Sequence, residues 1–173
     1  LRPDVFSVVY ALSPCCTEPE AEPARLKAAQ EIRTIADVEA WKVRQPFGSP
    51  ISVLAQAAAW SPNAKRPPLY FDIPNDLSTG DVAAKWHANS VLGLFERNMA
   101  RLKALRGIAF DVGDQDRAVS VPGIMRLDTA LRNASIDHTF EQYPGTHVSQ
   151  VRERLETKMF PFFLDRLSFA GSQ

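Results

Sequence analysis

Between residues 107 and 167 two kinds of pattern alternate, and this alternation narrows the possible folds more than any other feature of the chain. Residues 107–112 and 136–143 are short, β-prone and apolar, whereas residues 121–133 and 148–167 repeat their apolar positions at helical spacing. A β-α-β-α order needs a crossover connection, and a right-handed crossover sets the two strands parallel in one sheet with helices against its faces. The expected class is therefore α/β. A further near-continuous apolar run, Val5-Phe6-Ser7-Val8-Val9-Tyr10-Ala11-Leu12, is stopped by Ser13-Pro14 and reads as a strand buried on both faces. Little sequence precedes it, as expected of a chain that enters a domain part-way.

Residues 17–104 read as a helical and irregular insertion beside that sheet. In residues 24–41, Leu26, Ala29, Ile32, Ile35, Val38 and Trp41 recur at threes among helix formers, which predicts one or two short helices. Ser49-Pro50 has the form of an N-cap followed by proline at the first helical position, opening an Ala-rich helix to Trp60. Residues 67–80 hold three prolines and read as an irregular connection with one short strand at Leu69-Tyr70-Phe71. Asp81 is expected to cap one long amphipathic helix ending near Leu105.

Twenty basic residues balance twenty acidic ones, so no chain-wide field favours nucleic acid or an anionic lipid surface, and a small, near-neutral ligand is the expected partner. No apolar run approaches the roughly 18 residues a membrane span needs. The start, Leu1-Arg2-Pro3-Asp4, is not a signal peptide and points to no compartment. Cys15 and Cys16 are adjacent, a geometry unsuited to a structural disulfide, and are expected to be buried as small hydrophobes.

Catalytic groups of parallel α/β sheets gather at the carboxyl ends of the strands. One predicted strand runs into Gly113-Asp114-Gln115-Asp116 and the next into Pro144-Gly145-Thr146-His147, so a carboxylate and an imidazole are delivered to the same sheet edge. An imidazole acting as general base needs a carboxylate to hold its tautomer, and Asp116 and His147 suit those two roles. Asp111 and Asp114 are rivals for the acid, but Asp111 lies within the strand and Asp114 is placed to cap the turn. His87 falls within a helix and His138 at the start of a strand, the wrong edge for catalysis. The nucleophile of such a triad sits on a Gly-x-Ser-x-Gly turn, and that motif is absent from these 173 residues. Ser13 follows a strand but lacks small flanking residues, and Cys15 and Cys16 have no activating neighbour, so none of them is expected to substitute. No cluster has metal-ligand spacing and no glycine-rich loop could cradle phosphate, so neither metal nor cofactor is expected.

These segments together resemble the esterase D or S-formylglutathione hydrolase type of esterases, a branch of the α/β-hydrolase superfamily that also includes mycolyltransferases. The resemblance is carried by Pro3-Asp4-Val5-Phe6, by Leu12-Ser13-Pro14, by the run from Ile108 to Asp116, by Tyr143-Pro144-Gly145-Thr146-His147 and by Met159-Phe160-Pro161-Phe162-Phe163. It implies that residues 1–173 are the C-terminal part of one α/β-hydrolase domain, with residues 105–173 bearing the acid Asp116 and the base His147 and with the serine upstream of Leu1. The implied activity is hydrolysis of a small-molecule ester through an acyl-enzyme, with acyl transfer to an alcohol or a non-catalytic binding role as alternatives and a homo-oligomer as one possible assembly. The aromatic run at Phe160 to Phe163 is expected to pack on the sheet, and Trp60, Trp86 and Tyr70, which fall in the insertion, are expected either to border a substrate pocket or simply to pack.

Overall fold

The structure, a computed structural model, describes residues 2, 4–19, 21, 23–44 and 50–167. Its elements begin with strand β1 (Val8–Leu12), followed by helices α1 (Pro23–Glu31), α2 (Ile35–Arg44), α3 (Ile51–Trp60), α4 (Asp81–Asn89) and α5 (Val91–Lys103). Strand β2 (Gly107–Gly113), helix α6 (Val121–Asn133), strand β3 (Thr139–Tyr143) and helix α7 (Val151–Arg154) come next. A π-helical turn (Leu155–Met159) joins α7 to α8 (Phe160–Arg166). The chain divides into two compact units, one made of Leu1–Thr17 with Phe95–Gln173 and the other of Glu18–Leu94.

The first unit is mixed α/β and is built on a parallel sheet of strand order β1-β2-β3. Both pairings are parallel, with Leu12 opposite Asp111 and Gly113 opposite Tyr143, so all three strands end at the same edge. Every residue of β2 is buried, because it is flanked on both sides and covered by Phe95, Met99, Ile124 and Leu131. Ile124 and Leu131 of α6 are at most 2 % exposed, and burying each is worth about 1.5–3 kcal/mol. Helix α6 starts where expected for a local reason: the Ser120 hydroxyl accepts the Gly123 N–H at 2.9 Å, and Pro122 fits the first turn without losing a hydrogen bond.

Four expectations need correction here. The first strand begins at Val8, since Asp4 and Val5 form a turn closed by N–H groups of Val5 and Phe6 on the Arg2 carbonyl. Nor is it buried on both faces: β1 is an edge of the sheet among the described residues, and Val9 is 42 % exposed. Cys15 is exposed and Cys16 half-buried, because the chain leaves the sheet through left-handed backbone at Ser13 and Cys16. The third strand likewise starts at Thr139, three residues later than its apolar pattern suggests.

The last helix is interrupted. Proline in an α-helix clashes with the carbonyl four residues earlier and cannot donate, and the π turn immediately before Pro161 opens the helix where that conflict falls. Phe162 meets Tyr10 of β1 edge-on at 5.6 Å, as expected of a residue packing on the sheet, whereas Phe160 is 52 % exposed.

The second unit is helical, with a core of Leu26, Ala29, Ile32, Val53, Leu54, Ala57 and Trp86. Ser49 lies outside the described residues, and Pro50 caps α3 without a side-chain bond. Trp86 is fully buried, donates its Nε1–H to the Ser61 hydroxyl at 2.8 Å and meets Trp60 edge-on at 5.6 Å. The expected short strand at Leu69-Tyr70-Phe71 is reduced to one antiparallel bridge between Pro62 and Phe71. The single long helix expected from Asp81 is two helices, broken at Ser90, whose backbone is extended. Its hydroxyl donates to the His87 carbonyl at 2.8 Å and accepts the Gly93 N–H at 3.1 Å, so this serine ends one helix and caps the next.

Candidate active site

The parallel register brings the segments after β1, β2 and β3 to one edge, and backbone hydrogen bonds knit the last two together. The Asp114 N–H donates to the Tyr143 carbonyl at 2.8 Å and the Gln115 N–H to the Gly145 carbonyl at 2.9 Å. The Asp114 carboxylate accepts the Gly145 N–H at 2.9 Å, which is the turn-capping role expected of it. So close is the approach that a Cβ on Gly113 would collide with the Gly145 carbonyl. Residues 144–150 are wound tightly, with the Thr146 N–H on the Ser149 hydroxyl at 2.9 Å and the Gln150 amide on the Pro144 carbonyl at 2.8 Å.

Two loops held this way place Asp116 and His147 in contact: Nδ1 of His147 is 2.9 Å from Oδ2 of Asp116. Since a carboxylate accepts, the proton of this bond belongs to Nδ1, which in the neutral ring leaves the lone pair on Nε2 at the far side. The Asp116 side chain is fully buried, while 44 % of the His147 side chain is open to solvent. The other carboxylate oxygen of Asp116 accepts the Ala118 N–H at 2.8 Å and the Val119 N–H at 3.3 Å. Burial pushes the Asp116 carboxyl up, but the bonds from His147, the Ala118 N–H and the Ser13 hydroxyl outweigh it and leave it below the ordinary carboxylate range.

No protein-family model and no curated protein matches this sequence.

A second histidine–carboxylate pair in the same unit provides a contrast to the first. His138 Nε2 lies 2.9 Å from Asp128 Oδ1, its Nδ1 lies 2.8 Å from the Ile136 carbonyl, and its ring stacks on Phe110 with only 4 % of the side chain exposed. Both nitrogens of His138 are engaged and the ring is closed to any ligand. His87 bonds the Leu77 carbonyl in the helical unit. Of the three histidines, His147 joins a buried carboxylate on one nitrogen to an exposed edge on the other.

Asp111, the rival within the strand, serves a different purpose. Its Oδ2 accepts the Tyr10 hydroxyl at 2.7 Å and the Arg154 Nε–H at 2.8 Å, and Arg154 reaches Glu141 at 3.1 Å while lying 4.1 Å over the Tyr143 ring. Burial opposes the charge of Arg154, yet Asp111 and Glu141 hold its guanidinium well above the ordinary value. Arg154 escaped the sequence reading, although a carboxylate inside an apolar strand was a signal that a cation must be buried beside it. Ser13 was weighed only as a nucleophile. Its hydroxyl instead helps to hold the Asp116 carboxyl below the ordinary range, from a place at the end of the neighbouring strand.

Among the described residues no group of three or more His, Cys, Asp or Glu side chains could hold a metal ion, and no helix is long and apolar enough to cross a membrane.

Proposed function

We propose that this chain carries the acid and base of a serine esterase of the α/β-hydrolase fold, with His147 as general base, Asp116 as its orienting carboxylate and the nucleophilic serine supplied by sequence preceding Leu1. One observation carries it: a half-exposed imidazole bonded at 2.9 Å through Nδ1 to a fully buried carboxylate, at the carboxyl edge of a parallel sheet. Nε2 of His147 takes the proton of the attacking hydroxyl and returns it to the leaving alcohol, and Asp116 stabilises the imidazolium formed between those steps. Water then releases the acid from the acyl-enzyme by the same proton transfers. The substrate class is a small-molecule ester of near-neutral charge, in keeping with the balanced composition.

The test uses the protein encoded with its upstream sequence. Replacing His147 by Ala is expected to abolish hydrolysis of an activated aryl ester, and unchanged turnover would rule the assignment out. A Gly-x-Ser-x-Gly turn upstream is the second requirement, and replacing its serine by Ala should have the same effect.

A further inference from the structure

The only two cysteines of the chain stand directly after the segment that reaches Asp116. Both are thiols, Cys15 exposed and Cys16 half-buried. Successive side chains of an extended chain point to opposite sides, so adjacent cysteines do not ordinarily meet. Here Cys16 adopts φ +66°, a left-handed conformation uncommon for a residue with a Cβ, and the two sulfurs lie in direct contact, 2.9 Å apart. The same segment is tied to the candidate site. Ser13 has φ +45°, its N–H donates to the Asp111 carbonyl at 2.8 Å in the middle strand that leads to Asp116, and its hydroxyl helps to lower the Asp116 carboxyl.

We propose that Cys15 and Cys16 form a dithiol exchange site that closes reversibly into a vicinal disulfide by reaction with a low-molecular-weight disulfide, and that closure is felt at Asp116 and His147 through Ser13. The exposed Cys15 thiolate attacks one sulfur of the small disulfide, forming a mixed disulfide and expelling one thiolate. The Cys16 thiolate then attacks the Cys15 sulfur and expels the second. Two protein thiols are oxidised to one disulfide, the small disulfide is reduced to two thiols, and the two protein protons pass to the released thiolates.

Adjacency makes this an exchange site rather than a staple. Neighbouring Cα atoms are about 3.8 Å apart across a trans peptide, shorter than the roughly 4.4–6.8 Å that disulfides favour. The ring is strained, and strained, exposed disulfides are the readily reduced ones. Pro14, with its fixed φ, is the only residue between Cys15 and Ser13, so backbone rotation on closure is passed on rather than absorbed. None of this depends on the esterase assignment, since it concerns the thiols and the geometry of an existing Asp116–His147 contact.

The experiment treats the chain with excess oxidised glutathione, then reads intact mass without reductant and the His147 imidazole resonances by NMR, with a His147→Gln variant to assign them. Expected are a monomer lighter by two hydrogens, shifted His147 resonances, and reversal of both by dithiothreitol. Cys16→Ser should instead retain one glutathione per chain, and Ser13→Ala should close while losing the shift at His147. A retained glutathione on the unaltered chain, linkage between chains, absence of reaction, or closure without movement of His147 would each overturn the proposal.

Discussion

The Arg154 guanidinium meets the Asp111 carboxylate at 2.8 Å with both side chains at most 4 % exposed, joining the helix that follows His147 to the middle strand of the sheet. A buried pair of this kind contributes little over an apolar replacement, but removing one partner strands the other charge. Arg154→Met is therefore expected to lower unfolding free energy by about 3–5 kcal/mol in a denaturant titration. A loss of less than about 1 kcal/mol, the size of an exposed pair, would show that Asp111 finds another partner.

Asp116 sets an acid-side dependence whose sign follows from its depressed pKa. A carboxyl lower in the folded than in the unfolded state contributes stability above the unfolded value, near pH 3.9, and loses it as pH falls through the folded value. The stability difference between the parent chain and Asp116→Asn should thus be largest near about pH 6 and shrink towards about pH 2. Urea titrations at both ends would measure it, and a constant difference would show that Asp116 ionisation is not linked to folding.

Tyr10 supplies the opposite limb. Burial first, then its hydrogen bond to Asp111, push its hydroxyl well above the ordinary range. A group raised in the folded state contributes stability below its unfolded value, near pH 10, and loses it as pH rises through the folded value. Near-ultraviolet absorbance should show a tyrosine that ionises only as the protein unfolds, and Tyr10→Phe should remove that phase.

Gly113 is where the loops carrying Asp116 and His147 come nearest, since its missing Cβ admits the Gly145 carbonyl. Gly113→Ala is expected to cost about 1–3 kcal/mol by overpacking and to move the His147 imidazole resonances. Retention of both the stability and those resonances would mean that the loops part without disturbing the pair.

For the ester hydrolysis proposed above, Asp116→Asn is expected to lower kcat by about 10⁴-fold while KM changes little, because the tautomer of His147 is no longer held. A loss confined to KM would place Asp116 in substrate binding rather than in orienting the base.

The parts of the fold legible in the sequence are those governed by local chemistry. Helix α6 falls on its expected residues because Ser120 and Pro122 act within one turn, and β2 was visible because a strand flanked on both sides must be apolar almost throughout. Boundaries were misjudged where a side chain answers to a distant or competing partner. Val5 and Phe6 look like strand but turn away at an open edge, Ser90 sits in a helical pattern yet caps a new helix, and Pro161 is met by a π turn that no periodicity announces. Asp116 and His147 could be singled out because both follow strands predicted to be parallel, which sends them to one edge.

By itself the sequence determined that there would be a parallel α/β sheet and which carboxylate and imidazole would reach its edge, since periodicity and strand order depend on neighbours along the chain. Only the tertiary structure decided that His147 stays half open while His138 is sealed, that Arg154 is buried against Asp111, that the Ser13 N–H meets the Asp111 carbonyl and that two adjacent thiols face each other. Each of those depends on burial and on contacts between strands distant in sequence, and such distances exist only once the chain has folded.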